Sequence, residues 1–269
     1  MTTVRKNPIT GDPILFAPER AARPHAFADS AHDARCPFCR GHESDTPPEI
    51  LHTGDPWRVR VVPNKYPPVP GAEVIIESPD HDAAFHTIEH AEEAVRVYAD
   101  RHRAHADAAY VAIFKNEGAR AGSSIPHLHS QLVPLPFVPP RVERELEGFA
   151  RNCPLCLSPP NVIRETGAFT WFAPHASSVP YQQWIVPKRH AASIGDLNET
   201  EITELATLLR SASSAMCRIS DAYNWMFVNT PHFYIDLFPR LTTIAGLELG
   251  TGTFVEIIDP AAAAERLRA

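Results

Sequence analysis

The sequence predicts a mixed α and β fold made of two tandem copies of one unit, residues 1–150 and 151–269. Three observations carry this reading. The same polar residues recur in the same order in both halves: Cys36-x-x-Cys39, His81 and His127, then Cys153-x-x-Cys156, His190 and His232. The offsets are 117, 109 and 105 residues, as expected of a duplicated unit whose loops have changed length. Short apolar runs bounded by Pro, Gly, Asn and Asp alternate with a few longer amphipathic stretches, the patterns of strands and helices. Composition also shifts near Ala150, where a proline-rich run (133–140) and a charged stretch (141–151) give way to the second cysteine pair.

In chain order, Asn7-Pro-Ile-Thr-Gly predicts a turn followed by a short strand. Residues 57–63 alternate with period two and read as a half-buried strand, ending in the turn Asn64-Lys-Tyr-Pro. A strand at 74–77 runs into Ser78-Pro-Asp-His81. A helix is expected over 88–106, rich in Ala, Glu and Arg, then a compact apolar strand at 110–114. The second half offers strands at 169–172, 184–186, 225–228 and 232–238. Its main helix starts at Asn198, with Glu201 three residues on as a capping box. Ile202, Leu205, Leu209, Ala212, Met216 and Ile219 follow at helical spacing and should face the core. Asp259-Pro260 opens a last short helix, with Pro at the first helical position.

The formal charge of −7 argues against a broad nucleic-acid or acidic-membrane surface, which needs clustered Lys and Arg. A local site for a small anion remains open. No apolar run is long enough to span a bilayer, and 1–31 is polar with no signal-peptide pattern, so a cytoplasmic protein is expected. In a reducing compartment the paired cysteines point to metal or redox chemistry and not to a disulfide framework. Cys217, within a helical pattern, reads as a buried small apolar residue.

Two Cys and two His per half supply the four ligands of a closed, structural tetrahedral zinc site. One cysteine pair alone leaves redox chemistry open; the repeated order with matched histidines favours zinc. Two sites are expected: Cys36, Cys39, His81 and His127; and Cys153, Cys156, His190 and His232. His25, His42, His52, His86, His90, His102 and His105 lie among polar residues and read as solvated.

The most chemically loaded stretch runs from Asn116 to Pro134. A Gly/Ser loop (Gly118, Gly122, Ser123, Ser124) feeds a predicted strand carrying His127, His129 and Gln131. Residues two apart share a face of a strand, so these three polar side chains should project together. With His127 taken by metal, His129 is left to attack phosphorus and carry a phosphoryl group covalently. Gln131 can donate to a non-bridging phosphate oxygen, and N–H groups around Gly122, Ser123 and Ser124 can stabilise growing charge. The competing reading makes His129 a supporting or core histidine. At the matching place the second half has His232-Phe-Tyr234-Ile-Asp236, with neither nucleophile nor amide, and reads as a scaffold.

At these residues the chain resembles the galactose-1-phosphate uridylyltransferase family, within the histidine-triad superfamily. The resemblance covers nearly the whole length. Its marks are Asn7-Pro-Ile-Thr-Gly, Cys36-Pro-Phe-Cys39, Asn64-Lys-Tyr-Pro, Ser78-Pro-Asp-His81, Lys115-Asn-Glu-Gly, His127-Leu-His-Ser-Gln131 and Trp184-Ile-Val-Pro-Lys. It implies two histidine-triad-like α+β halves, each an antiparallel sheet with helices, and a covalent nucleotidyl-histidine on His129 with Gln131 as phosphate partner. It further implies zinc on Cys36, Cys39, His81 and His127, Asn64 near base and ribose, Asn116, Gly122 and Ser123 near the phosphates, and a homodimer.

Galactose-specific members read His-Pro-His-Gly-Gln and carry a C-terminal Gly-Tyr-Glu. His-Leu-His-Ser-Gln, the stretch Leu247-Glu-Leu-Gly-Thr-Gly-Thr253 and the complete second ligand set are more similar to the ADP-glucose phosphorylase branch. A ping-pong nucleotidylyltransferase is therefore expected, using a UDP- or ADP-hexose and a sugar phosphate or phosphate. The rivals are a dinucleoside polyphosphate (Ap4A-type) phosphorylase or hydrolase and a non-catalytic, zinc-stabilised nucleotide-binding protein.

Overall fold

Alternation along the strands sorts side chains onto the two faces of a single sheet. The computed structural model describes residues 2–19, 35–156 and 158–269; His25 and part of the polar stretch 1–31 fall outside them. Strands β1 (Thr3–Lys6) and β2 (Pro13–Phe16) pair antiparallel. The Asn7 side chain closes the turn between them by accepting the Ile9 N–H at 2.8 Å.

The first half then gives β3 (Leu51–Thr53), β4 (Val59–Pro63), β5 (Glu73–Ile76), β6 (Tyr110–Glu117) and β7 (His129–Leu135). The second gives β8 (Asn161–Glu165), β9 (Phe169–Ala173), β10 (Gln183–Pro187), β11 (Tyr223–Val228) and β12 (Tyr234–Pro239). The halves do not keep separate sheets. All ten strands form one antiparallel sheet in the order β3-β4-β5-β7-β6-β11-β12-β10-β9-β8. The join is β6 against β11, with Asn116 opposite Asn224 and Lys115 opposite Trp225. Each half thereby satisfies the backbone edge of the other.

One face carries the main core beneath three helices: α1 (Ala91–Ala104), α3 (Glu199–Cys217) and α5 (Pro260–Arg268). A further helix, α2 (Pro140–Phe149), forms from the charged stretch and lays Val142 over Phe172, Val186, Val228 and Tyr234 on the opposite face. The last, α4 (Gly246–Thr251), is short and exposed. α1 buries Ala91, Ala94, Val95 and Tyr98, and starts three residues later than its composition suggests. Thr87 and Ile88 instead turn back to donate to the Ala84 carbonyl. α3 follows its pattern: Asn198 accepts the Glu201 N–H at 3.0 Å, Glu201 accepts the Asn198 N–H at 2.8 Å, and Ile202, Leu205, Leu209, Ala212 and Met216 are buried. Ile219, beyond the helix end, is partly buried.

Cys217 is exposed and not buried as expected. It sits one residue past Met216, about 100° around the helix from the buried stripe. Several histidines read as solvated are half-buried instead: His42, His86, His90, His102 and His105. Folded-back loops and helix ends cover them; His90 donates to the Glu77 carbonyl at 2.8 Å, for example, and His42 to that of Cys36 at 2.8 Å. His127 and His232 lie just before β7 and β12.

Phe85 is fully buried and meets Trp225 of β11 edge-on at 4.8 Å, pinning the loop after His81 to the sheet join. Phe85→Ala should destabilise the fold by about 3–5 kcal/mol, as for other large aromatic truncations in cores. Urea unfolding followed by tryptophan fluorescence measures this directly.

Candidate functional site

β7 lies between β5 and β6, with His129 opposite Ile76, and Gln131 opposite Val74 and Phe114. Ser130 and Leu132 point to the helices. His129 and Gln131 point the other way, into a cavity of about 280 Å³ also lined by Asn64, Ser124, Phe38 and Lys65. His129 is 4% exposed, and its ring Nδ1–H donates to the His127 carbonyl at 2.7 Å. A carbonyl only accepts, so the neutral ring carries its lone pair on Nε2. Arg35 and Asp45 line the same cavity as an ion pair at 2.9 and 3.0 Å, which leaves Lys65 as the cation in its wall without a carboxylate opposite it among the described ion pairs.

The Gly/Ser loop contributes less than expected. The Gly122 N–H donates to Ala119 and the Ser123 N–H to Gly118, closing a tight turn that Gly122 ends at φ 85°. The Ser123 hydroxyl donates to the Ile125 carbonyl at 2.9 Å. Those donors are spent within the loop, and of the three residues only Ser124 lines the cavity. Asn116 lines a different cavity, beside β11, where its Oδ1 accepts from Asn224 Nδ2 at 2.8 Å.

Cys36, Cys39, His81 and His127 converge so that their ligand atoms lie within 4.8 Å of one another. Four ligands on one zinc stand about 3.3–3.8 Å apart. Cys39 Sγ is 3.5 Å from His81 Nδ1 and 3.7 Å from His127 Nδ1, and Cys36 Sγ is 3.6 Å from His127 Nδ1. His127 Nε2–H donates to the Ser78 carbonyl at 2.8 Å, turning the Nδ1 lone pair to the thiols. Burial drives the His127 pKa down to about 4, which keeps the ring in its ligating form, while burial and then Cys36 push the Cys39 thiol up to about 11. The donor set fits zinc, which would lock the Cys36–Cys39 turn to the start of β7. Phe38, inside that turn, packs edge-on against His129 at 5.3 Å. The cysteine–histidine cluster thus bears on the histidine in the cavity.

Cys153, Cys156, His190 and His232 form a second cluster of the same kind. His232 Nε2–H donates to the Pro187 carbonyl at 2.6 Å, the counterpart of the His127–Ser78 bond. Its Nδ1 is 3.3 Å from Cys153 and 3.8 Å from Cys156, whereas Cys156 is only 2.9 Å from His190. Cys156 and His190 are exposed, so this cluster is the more open of the two. The Arg189–Glu201 ion pair at 2.5 Å ties its loop to the start of α3.

Where the first half has His129 and Gln131, the second has Tyr234 and Asp236. Arg141 of α2 donates to both, at 3.2 and 2.8 Å, and Gln182 donates to Asp236 at 2.7 Å. Burial raises the Tyr234 hydroxyl far above its ordinary range. These positions form an internal ion-pair network.

A buried trio on the opposite face of β7 escaped the sequence reading. Lys115 and Glu77, both fully buried, are ion-paired; Lys115 Nζ also donates to the backbone carbonyl of His129 at 2.9 Å. Tyr98 of α1 donates to Glu77 and contacts Ser130 Oγ at 3.1 Å. Lys115 stands in a strand of apolar neighbours, the one available hint that its charge has a buried partner.

Comparison with known proteins gives a consistent picture. Residues 65–139 match the model of the galactose-1-phosphate uridyl transferase N-terminal domain. The chain is 30% identical to ADP-glucose phosphorylase of Arabidopsis thaliana, over 98% of this chain and 92% of that protein. The chain belongs to the galactose-1-phosphate uridylyltransferase family. As a member it is a nucleotidyltransferase. A galactose-1-phosphate uridylyltransferase of Thermotoga maritima is 26% identical over 100% of this chain and 98% of that one. The crystal structure of the Arabidopsis ADP-glucose phosphorylase with bound ADP-glucose superposes with a TM-score of 0.81 at 29% identity, covering 100% and 99% of the two chains. The fold of this family is therefore a mixed α/β one built on antiparallel strands, as described above.

Purified protein should contain two zinc ions per chain, and a chelator should strip the open Cys153 cluster well before the Cys36 cluster, read by zinc release to a chromogenic dye. Lys115→Met leaves Glu77 buried and unpaired and should cost about 3–5 kcal/mol, whereas Lys115→Met with Glu77→Leu should recover most of it. Thermal unfolding of the single and double variants makes that comparison.

Proposed function

We propose that this protein moves a nucleoside monophosphate from a nucleoside diphosphate hexose to a sugar phosphate or inorganic phosphate through a covalent nucleotidyl-His129. The observation that carries the proposal is the pairing of His129 and Gln131, two residues apart on β7, in the wall of one cavity with Asn64 and Ser124. The Nε2 lone pair attacks the α-phosphorus. An N–P bond forms as the bond from that phosphorus to the bridging oxygen breaks, and hexose 1-phosphate leaves with the oxygen and its electron pair. An acceptor phosphate oxygen then attacks the same phosphorus, and the electron pair returns to Nε2.

The Nδ1–H bond to the His127 carbonyl fixes the tautomer and stabilises positive charge on the ring while it carries the nucleotide. Gln131 donates to a non-bridging oxygen, and Ser124 contributes from the loop. Asn64 serves the base and ribose. Asn116, Gly122 and Ser123 act by shaping the loop behind the phosphates. Zinc at both clusters is structural: its bound form supplies cross-links and no reaction step.

Residues 1–150 make up the catalytic unit and 151–269 its non-catalytic copy. The ADP-hexose choice is supported by the likeness to the Arabidopsis enzyme and by the departures at Leu128 and Ser130 from the galactose-specific pattern. A cytoplasmic homodimer completes the proposal. Among the described residues no helix is long and apolar enough to cross a membrane. Leu247, Leu249, Val255 and Ile257 are exposed in one segment, an apolar surface suited to cover by a second copy.

Incubation with ADP-glucose or UDP-glucose, followed by intact-protein mass spectrometry, should add one nucleoside monophosphate to the wild-type chain. His129→Ala should remove the adduct and lower turnover at least about a thousand-fold with zinc content unchanged. Gln131→Ala should lower turnover about a hundred-fold while the adduct still forms. Full turnover by His129→Ala would refute the covalent route.

A further inference from the structure

A concentration of positive charge lies outside the reaction cavity, on the helix face of the second half. There α3, α5 and the β8–β9 hairpin wall a cavity of about 650 Å³. Arg164, Arg210, Arg218 and Arg268 line it, and no acidic residue does. Its floor is apolar, with Ile163, Trp171 and Leu267. It shares no lining residue with the cavity at His129.

Each guanidinium is held in place by a neutral acceptor. Arg210 donates to the His86 carbonyl at 3.3 Å, Arg218 to that of Leu267 at 3.2 Å, Arg268 to that of Val162 at 3.0 Å, and Arg164 to the Ser211 hydroxyl at 3.1 Å. Among the described residues none of the four has a carboxylate partner, although other exposed arginines of the chain, such as Arg35, Arg58 and Arg141, do. Four like charges around one concavity repel each other, and in a chain of net charge −7 carboxylates were available to relieve them. The backbone carbonyls orient the forks without neutralising them. His86 also lines it: its Nδ1 is buried without a hydrogen-bond partner, an arrangement that calls for one. Burial and then Arg210 lower its pKa, so the ring is neutral and can present an N–H.

We infer that this cavity is a second, non-catalytic site for a phosphate-bearing polyanion, gripped by Arg164, Arg210, Arg218 and Arg268. Planar guanidinium forks match phosphate oxygens two at a time, which selects phosphate groups over single-charged anions. The apolar floor accommodates an uncharged portion of the same ligand. This assignment stands independently of the reaction proposed for His129.

The probe is inorganic pyrophosphate, titrated by calorimetry into the full chain. Wild-type protein should bind it at this site. Arg164→Gln and Arg210→Gln should each weaken that step about ten-fold, and the double variant about a hundred-fold, at unchanged melting temperature. Arg266→Gln, also exposed on α5 but outside the cavity, should leave it unaltered. Any pyrophosphate bound at the reaction cavity persists in all variants as a constant background. If a glutamine variant fails to fold, Arg164→Lys, which keeps the charge and loses the fork, should still weaken binding. Absence of a binding step lost in the double variant, or an equal loss in Arg266→Gln, would overturn the inference.

Discussion

The two-residue period of β7 is the constraint on which the rest of the molecule depends. His129 and Gln131 project to one side because Ser130 and Leu132 project to the other, and each side then has to be built to suit. On the cavity side the Cys36–Cys39 turn sets Phe38 against the His129 ring, and the His127 carbonyl fixes its tautomer. On the helix side Lys115 grips the carbonyl of the same residue, anchored in turn by Glu77 and Tyr98. His129 is thereby held from its ring, its neighbour's backbone and its own backbone. Burying an ion pair in this place contributes little net stability over apolar side chains of the same size, but removing one partner is costly.

The two halves share part of their polar machinery and differ in the rest. Both copies keep the metal-type cluster and the histidine bonded to a loop carbonyl, Ser78 in one and Pro187 in the other. Where the first half has His129 and Gln131 the second has Tyr234 and Asp236, and α2 reaches across to bond both with Arg141. Arg141 and Gln182 thereby use up the polar groups at those two positions. The second half's openness at Cys156 and His190 agrees with relaxed demands on geometry there.

Much of this was legible in the order of residues. Cysteine and histidine ligands are distinctive types at distinctive spacings, and the period of β7 placed His129 and Gln131 together. Capping logic located α3 and α5 because it is local, needing only Asn198 with Glu201, or Asp259 with Pro260. Long-range pairing was not legible. Nothing in residues 110–117 or 223–228 says that β6 and β11 are neighbours, so the fused sheet was out of reach. The Lys115–Glu77 pair is likewise separated in sequence and joined only by strand order, and the four arginines come from three elements. The phosphate-facing N–H groups of Gly122 and Ser123 misled for the opposite reason: a tight turn uses its own donors, and composition does not show which way they point. Cys217 misled by one residue, since a helical face turns by about 100° per step.

The fused sheet has a consequence for how such a chain can be divided. A cut between α2 and β8 severs no strand, yet it would part β6 from β11 and strip Phe85 of its aromatic neighbour Trp225. Each fragment would then offer a long, naked ladder of amide and carbonyl groups at what had been the middle of the molecule. Two such fragments made together have complementary ladders and can zip into a working whole, whereas either made by itself would seek any extended chain it meets. Gene fission is therefore open to this architecture, and independent life for one copy is not.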